Sequence, residues 1–342
     1  MKKNNSIFVL SILLVLWVYW VTVACSAVET FDLNRCYFEA SRYVDNYSLS
    51  DMIIHRLRTS GDFIYYFILY FGIKASIPLN LVTTFIVSLY YLMILYFART
   101  FYGVRVQKYF FFIALFATPA IWVASMSRNL TAFVFLYLAI FCYYKKMRLF
   151  AILFCIIAVF THLSVLMYVS VLFLCVFLRN KELKHRGITI VLTVVLIMSF
   201  LYPSMVQDLF FSAISDQDLR YENYSKMAVN NILFYGSVNY ADKVPALFAM
   251  VYSVVLLFLG KKKGFDYWGL LLLTSMLMFF INSSWTLVNR CMMFMPIFWG
   301  GNVARVLQSG LIQKEVKYLQ VISYIGFISI LLNLYGNRHI YF

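Results

Sequence analysis

The sequence predicts an all-α, polytopic membrane helix bundle, and three observations predict it. Of the 342 residues, 63% are hydrophobic and only 13% charged, too little polar surface to clothe a soluble globule of this length. About ten apolar segments approach the roughly 20 residues that cross a bilayer. The basic residues are also distributed unevenly between the loops, as the positive-inside rule requires. A net charge of +15 would point to nucleic acid in a soluble chain. Here loop bias accounts for it, and no basic stripe on a soluble face is present to bind DNA or RNA.

The segments read in order as Ile7 to Cys25, Ile77 to Phe97, Tyr109 to Met126, Leu130 to Tyr144, Leu149 to Leu178, Ile188 to Leu201, Pro245 to Gly260, Tyr267 to Ile281, Cys291 to Val306 and Tyr318 to Leu334. With the N-terminus cytoplasmic, the inner side holds 18 of the 29 Lys and Arg and three of the 14 Asp and Glu, while the outer side is neutral. That balance holds only if Leu149 to Leu178 enters and leaves on one side, because Arg148 precedes it and the Arg179 to Arg186 cluster follows. Thr161 and His162 sit at its middle, where polar groups are costly unless they face protein or water. It therefore reads as two limbs meeting near His162, a re-entrant hairpin or two short tilted spans. The rival is one continuous tilted helix with a buried His.

The whole chain, 1–342, reads as a single transmembrane domain. Two outer stretches have structure of their own: 28–76, which ends in an aromatic-rich helix from Asp62 to Lys74, expected to lie at the interface with a tilted crossing as the alternative, and the long loop 202–243. No internal repeat or soluble cytoplasmic domain is apparent. Lys2 and Lys3 ahead of an apolar run ending at Cys25 also resemble a signal or lipoprotein leader. Thr22, three residues before that cysteine, favours an uncleaved first helix. Cys142, Cys155, Cys175 and Cys291 read as small buried hydrophobes, whereas Cys25 and Cys36 share the outer side and are able to pair in an oxidising compartment. No zinc spacing, phosphate loop, dinucleotide turn or nucleophile elbow occurs, so no metal or cofactor is expected.

Chemistry is expected where charged residues meet helix ends. Arg128, in Ser-Met-Ser-Arg-Asn-Leu-Thr, opens the fourth segment. A guanidinium there is either an interfacial side chain reaching toward head groups or a forked donor for a diphosphate beside the amides of a helix start. Arg290, after Asn282, Ser283, Ser284 and Trp285, repeats the arrangement at the start of the ninth segment. If the hairpin holds, His162 reaches the same level, and three ionisable groups from three elements make a shared site.

The stretch Arg128-Asn-Leu-Thr-Ala-Phe-Val-Phe-Leu-Tyr-Leu-Ala, the basic turn Lys145-Lys-Met-Arg, and then Ile157-Ala-Val-Phe-Thr-His-Leu-Ser-Val-Leu resemble the EpsG family of bacterial exopolysaccharide and capsule polymerases, which are similar in function to the Wzy O-antigen polymerases. In that family an Arg-Gln pair opens a helix, and one hairpin later an apolar helix ends in Phe-His-Lys-Ser-Ala. Here Asn129 stands for the Gln, and Thr161 and Leu163 flank the His, so Arg128 and His162 match while their neighbours depart. Asn289-Arg290 ahead of Met293-Phe-Met-Pro-Ile-Phe is similar to the family's second arginine and aromatic run. Arg220-Tyr-Glu-Asn-Tyr224 is similar to motifs of its long outer loop. The resemblance runs from about Asp32 to Phe298.

The resemblance implies a multi-pass enzyme of the bacterial plasma membrane that polymerises undecaprenyl-diphosphate-linked oligosaccharide repeat units on the outer face. It also implies a flippase and a chain-length regulator as partners. On that reading Arg128 and Arg290 contact the diphosphate, and His162, then Asp32, are candidates for the base that takes the acceptor proton. Arg35, Arg42, Arg220 and Tyr224 are candidates for binding glycan or lipid diphosphate. For Asp32 and these loop residues, ordinary solvated surface is the competing reading. Two other functions stay open: a glycosyltransferase using a polyprenyl-monophosphate sugar, whose usual paired acids after the first helix are here only the loosely spaced Glu29 and Asp32, and a non-enzymatic flippase or transporter, which commonly shows internal repeats and midplane polar groups. A ligase differs from a polymerase mainly in its acceptor.

Overall fold

The structure, a computed structural model, describes residues 2–26, 32–103, 127–201, 240–259, 262–281, 285–308 and 328. These form thirteen α-helices and a 3-10 turn, and among them no β-strand occurs beyond an isolated bridge between Glu182 and Lys263. The fold class is all-α. The described residues group into two compact units: the first takes those up to 101 and from 127 to 169, the second takes residues 102 and 103 and those from 170 onward.

The first unit holds α1 (Lys2–Ser26), α2 (Asp32–Asn46), α3 (Leu49–Thr59), α4 (Phe63–Lys74), α5 (Leu79–Tyr102), α6 (Ser127–Tyr144), α7 (Arg148–Thr161), the 3-10 turn Leu163–Val165 and the start of α8 (Leu166–Leu178). The stretch 28–76 is thus mostly helical. In α2 the buried residues Cys36, Ala40 and Tyr43 recur at helical spacing and make one apolar stripe. Ser48 caps α3 by accepting from the Asp51 amide at 3.2 Å. At the other end Gly61, with φ +69°, donates its amide to the Arg56 carbonyl at 2.9 Å. That left-handed residue stops α3 and turns the chain back over it, a conformation that costs glycine little. Next, α4 buries Tyr65, Tyr66, Leu69 and Tyr70 and packs on α2, α3 and α7. The hydroxyls of Thr22 and Thr84 meet at 2.6 Å to tie α1 to α5, and Tyr90 stacks on Tyr137 at 5.4 Å to tie α5 to α6.

The region read as two limbs is two limbs. After the short turn at Lys145 to Met147, α7 runs back along α6, with Phe135 and Phe154 stacked at 6.4 Å. The helix stops at Thr161, and His162 is extended (φ −162°, ψ 116°) before the 3-10 turn. Ser164 bonds Asn129 at 3.4 Å, and four residues further along each segment Tyr168 packs edge-on against Phe133 at 5.1 Å. The start of α8 therefore runs in the direction of α6 and opposite to α7, which excludes one straight helix.

The second unit holds the rest of α8 and α9 (His185–Leu201), α10 (Tyr240–Leu259), α11 (Phe265–Phe280), α12 (Trp285–Phe294) and α13 (Pro296–Gln308). At its centre, α11 packs against α9, α10, α12 and α13. Trp299, fully buried, donates from its indole to Ser253 at 2.7 Å, and the carboxylate of Asp266 accepts from Arg305 at 3.3 Å. The ninth segment, read from Cys291 to Val306 as one piece, is two helices divided at Met295. Pro296 explains the division, because it lacks an amide and crowds the residue before it out of helical geometry. The segments Tyr109 to Met126 and Tyr318 to Leu334 and the loop 202–243 as far as residue 239 lie outside the described residues, apart from Ile328.

Among the described residues one helix, the 24-residue α5, is long and apolar enough to cross a bilayer by length and composition. Shorter apolar helices include α4, α7, α9 and α11. In α11, a Cβ added to Gly269 would collide with the Phe298 ring of α13. Gly269→Val is expected to destabilise the second unit by about 1–3 kcal/mol through overpacking, read as a lowered unfolding midpoint of the purified chain.

Candidate functional site

The charged residues of the first unit that the fold draws together lie on α2, α3 and α6 and in the turn that leads into α4. Arg56 falls on the same face of α3 as Met52, one helical turn away, and both are completely buried. A buried guanidinium requires anions and hydrogen-bond acceptors, and three neighbouring groups meet it. Its Nη1 donates to Glu39 Oε1 of α2 at 2.6 Å, its Nη2 donates to Asp62 Oδ1 at 2.5 Å, and its Cζ lies 3.8 Å from the centre of the Tyr66 ring. The Tyr66 hydroxyl closes the loop by donating to Glu39 Oε2 at 2.6 Å. Burial works against the Arg56 charge, but Tyr66, Asp62 and Glu39 more than offset it, so its pKa stands above the ordinary guanidinium value.

Asp62 immediately precedes α4, the usual place for a helix-capping carboxylate, yet its side chain makes no cap bond. It is turned instead to two arginines. Oδ1 receives Arg56 and the Ser60 hydroxyl, and Oδ2 receives Nη1 of Arg128 at 2.6 Å. Glu39, Arg56, Asp62 and Arg128 thus form a chain of alternating sign whose charges cancel. Arg128 is its outermost cation, its side chain 13% exposed against 4% for Asp62.

Three element ends converge on this chain. The start of α6 is fixed to α4 by Tyr65 and Ser127, whose hydroxyls are 2.5 Å apart. The end of α7 reaches the start of α4 through the rings of Phe160 and Phe63 at 5.7 Å, two residues before His162 and one after Asp62. The turn following His162 returns to α6 through Ser164 and Asn129. Arg128, Asp62 and His162 consequently flank one junction. The imidazole is half-buried, at the single break in an otherwise helical segment.

Of the residues singled out from sequence, Arg128 and His162 are brought to this junction. Arg35 and Arg42 occupy exposed positions on α2. Asp32 begins α2, and its side chain lies outside the described residues, as do Arg220 and Tyr224. Arg290 belongs to α12 of the second unit, half-buried beside buried Asn289. Sequence reasoning missed Glu39, Arg56, Asp62 and Tyr66. The one available signal was Arg56 itself, a cation on the apolar stripe of a short helix. Among the described residues no group of three or more His, Cys, Asp or Glu side chains is arranged to hold a metal ion.

No family profile, curated protein or solved structure matches this chain.

Removing Arg56 would break its bonds to two carboxylates and leave Asp62 to Arg128 and Ser60, and Glu39 without this guanidinium. Arg56→Met is expected to destabilise the chain by about 3–5 kcal/mol, whereas Arg42→Ala, at an exposed position, is expected to stay within about 0.5 kcal/mol of wild type. Parallel denaturation of the purified variants checks both.

Proposed function

We propose that this chain is a multi-pass membrane glycosyltransferase that polymerises polyprenyl-diphosphate-linked oligosaccharide repeat units at the outer face of a bacterial plasma membrane, as its resemblance to the EpsG family implies. The observation that carries the reading is the junction in the first unit, where a buried ionic chain presents Arg128 next to the helical break at His162. The membrane reading has its own support. Large apolar side chains on several helices are strongly exposed, among them Phe85 at 68%, Leu149 at 78% and Phe177 at 78%, a distribution suited to lipid rather than water.

In the proposed reaction an acceptor sugar hydroxyl attacks the anomeric carbon of the growing chain. The bond from that carbon to the diphosphate breaks, and the leaving diphosphate keeps the electron pair. Charge on the leaving group grows as the bond breaks, so a fixed guanidinium lowers the barrier by binding the transition state more tightly than the substrate. Arg128 takes that role. His162 takes the hydroxyl proton as general base, a task for which neutral imidazole is suited near neutral pH. Arg290, in the second unit, is proposed as a separate diphosphate contact on the strength of the resemblance, with a flippase and a chain-length regulator as functional partners.

The test is deletion of the gene in its host and complementation with wild type, Arg128→Ala, His162→Ala or Arg290→Ala at matched protein levels, followed by sizing of surface glycan and lipid-linked intermediates. Expected is loss of long chains with single repeat units accumulating on the outer leaflet, restored by wild type and not by the variants. Accumulation on the inner leaflet would instead identify a flippase, and incomplete repeat units an earlier glycosyltransferase. Full rescue by all three variants would remove these residues from the site.

A further inference from the structure

The second unit joins two loops that are far apart in the chain. Glu182, between α8 and α9, forms the isolated bridge with Lys263, between α10 and α11. Beside it the Leu183 amide donates to the Lys262 carbonyl at 3.3 Å, and the Trp268 indole donates to the Lys181 carbonyl at 3.1 Å. Arg305 of α13 reaches the same place, donating from Nη1 to the Lys263 carbonyl at 2.6 Å. Gly264, at φ 105°, leaves room for that guanidinium, which a Cβ there would meet. The backbone thus fixes side chains of like sign beside one another. Lys181, Lys184, Arg186 and Lys263 are exposed, the His185 ring lies against Lys262, and Glu182 is the one acid among residues 179–186. Asp266, which follows the other loop, is buried and already receives Arg305.

Held this way, the cations repel one another. Lys184, His185 and Arg186 also stand at the start of α9, where the backbone dipole is positive and the first turn carries no acid. Anions from outside the chain relieve such self-repulsion, and what borders the patch decides their kind. Phe177, 78% exposed, stands two residues before Arg179, and Ile190, 61% exposed, four residues after Arg186. Both α8 and α9 therefore pass from cations to uncovered apolar side chains within about one turn. A soluble anion or an acidic peptide leaves that apolar border unused. An anionic phospholipid satisfies both parts, its head group against the cations and its acyl chains against Phe177 and Ile190. We infer that the joined loops 179–186 and 262–264 form a binding surface for anionic phospholipid head groups, in the leaflet that the charge count makes cytoplasmic; this rests on the membrane reading of the chain and not on the polymerase reading.

The experiment measures binding of fluorescent phosphatidylglycerol and fluorescent phosphatidylcholine to the purified full-length chain in micelles of a neutral detergent. Wild type is expected to favour phosphatidylglycerol by roughly tenfold, with the preference shrinking as salt rises. The triple variant Lys181→Gln, Lys184→Gln, Arg186→Gln is expected to lose most of that preference. A matched control, Lys145→Gln, Lys146→Gln, Arg148→Gln, removes the same number and type of exposed cations from the turn between α6 and α7 and is expected to keep it. Unfolding midpoints close to wild type show that both variants are folded. Equal loss in the two variants would reduce the effect to net charge, and an unchanged preference in the first would place lipid binding elsewhere; either overturns the inference. So does binding of a soluble acidic peptide that depends on the three cations while phosphatidylglycerol shows no preference, which would make the surface a dock for protein. A chain that stays dispersed without detergent ends the membrane reading and this inference with it. Complementation with the Arg128, His162 and Arg290 variants bears on the polymerase reading alone.

Discussion

A charge that cannot reach water has to be answered where it sits, and in this chain the charge is Arg56. Its complete burial would cost several kcal/mol alone. Two carboxylates and an aromatic face meet it, each supplied by a neighbouring part of the chain: Glu39 from α2, Asp62 from the turn after α3, and Tyr66 from α4. The three helices of 28–76 are therefore held together by an interaction that fails if any one of them is displaced. Because the second oxygen of Asp62 holds Arg128, the same requirement reaches the start of α6. Assembly of this region and placement of the candidate site are one event.

The second unit is organised differently. Around α11 the contacts are close and mostly apolar, with Gly269 giving way to the Phe298 ring and Trp299 locked edge-on against Tyr252 at 5.6 Å. One core relies on charge pairing with exacting geometry, the other on shape. Ion pairs in a largely apolar surrounding hold direction as well as distance, which suits the unit that must aim a guanidinium.

Much of the helical framework was legible in the sequence because long apolar runs leave few alternatives. The break near His162 was legible for the same reason, since Thr161 and His162 interrupt an apolar run at its middle and basic residues flank both ends. Arg128 stood out as a cation at the edge of such a run. Glu39, Arg56 and Asp62 did not, because in a polar stretch of mixed charge a buried ion pair has the same composition as a solvated surface. Asp62 was doubly hidden, standing where a helix cap belongs and serving another purpose. The division at Met295 was written in Pro296 but was overridden by the continuous hydrophobicity around it. The two loop candidates Arg220 and Tyr224, and the side chain of Asp32, lie beyond what the structure describes.

The pairing of α6 with α7 works as a ruler. The helices contain 18 and 14 residues, and at about 1.5 Å per residue they span roughly 27 and 21 Å. The tight turn at Lys145 to Met147, with Lys146 in the left-handed region at φ 63°, fixes where the measurement begins. The level of His162 relative to Arg128 is therefore set by counting residues, far from either side chain. Adding or removing a single residue in one helix would shift its end by about 1.5 Å and rotate it by about 100°, breaking the register while leaving every apolar residue still apolar. Such a pair tolerates exchange of one greasy side chain for another along its length but not a change in length, so the count of residues between the two polar groups is itself part of the site.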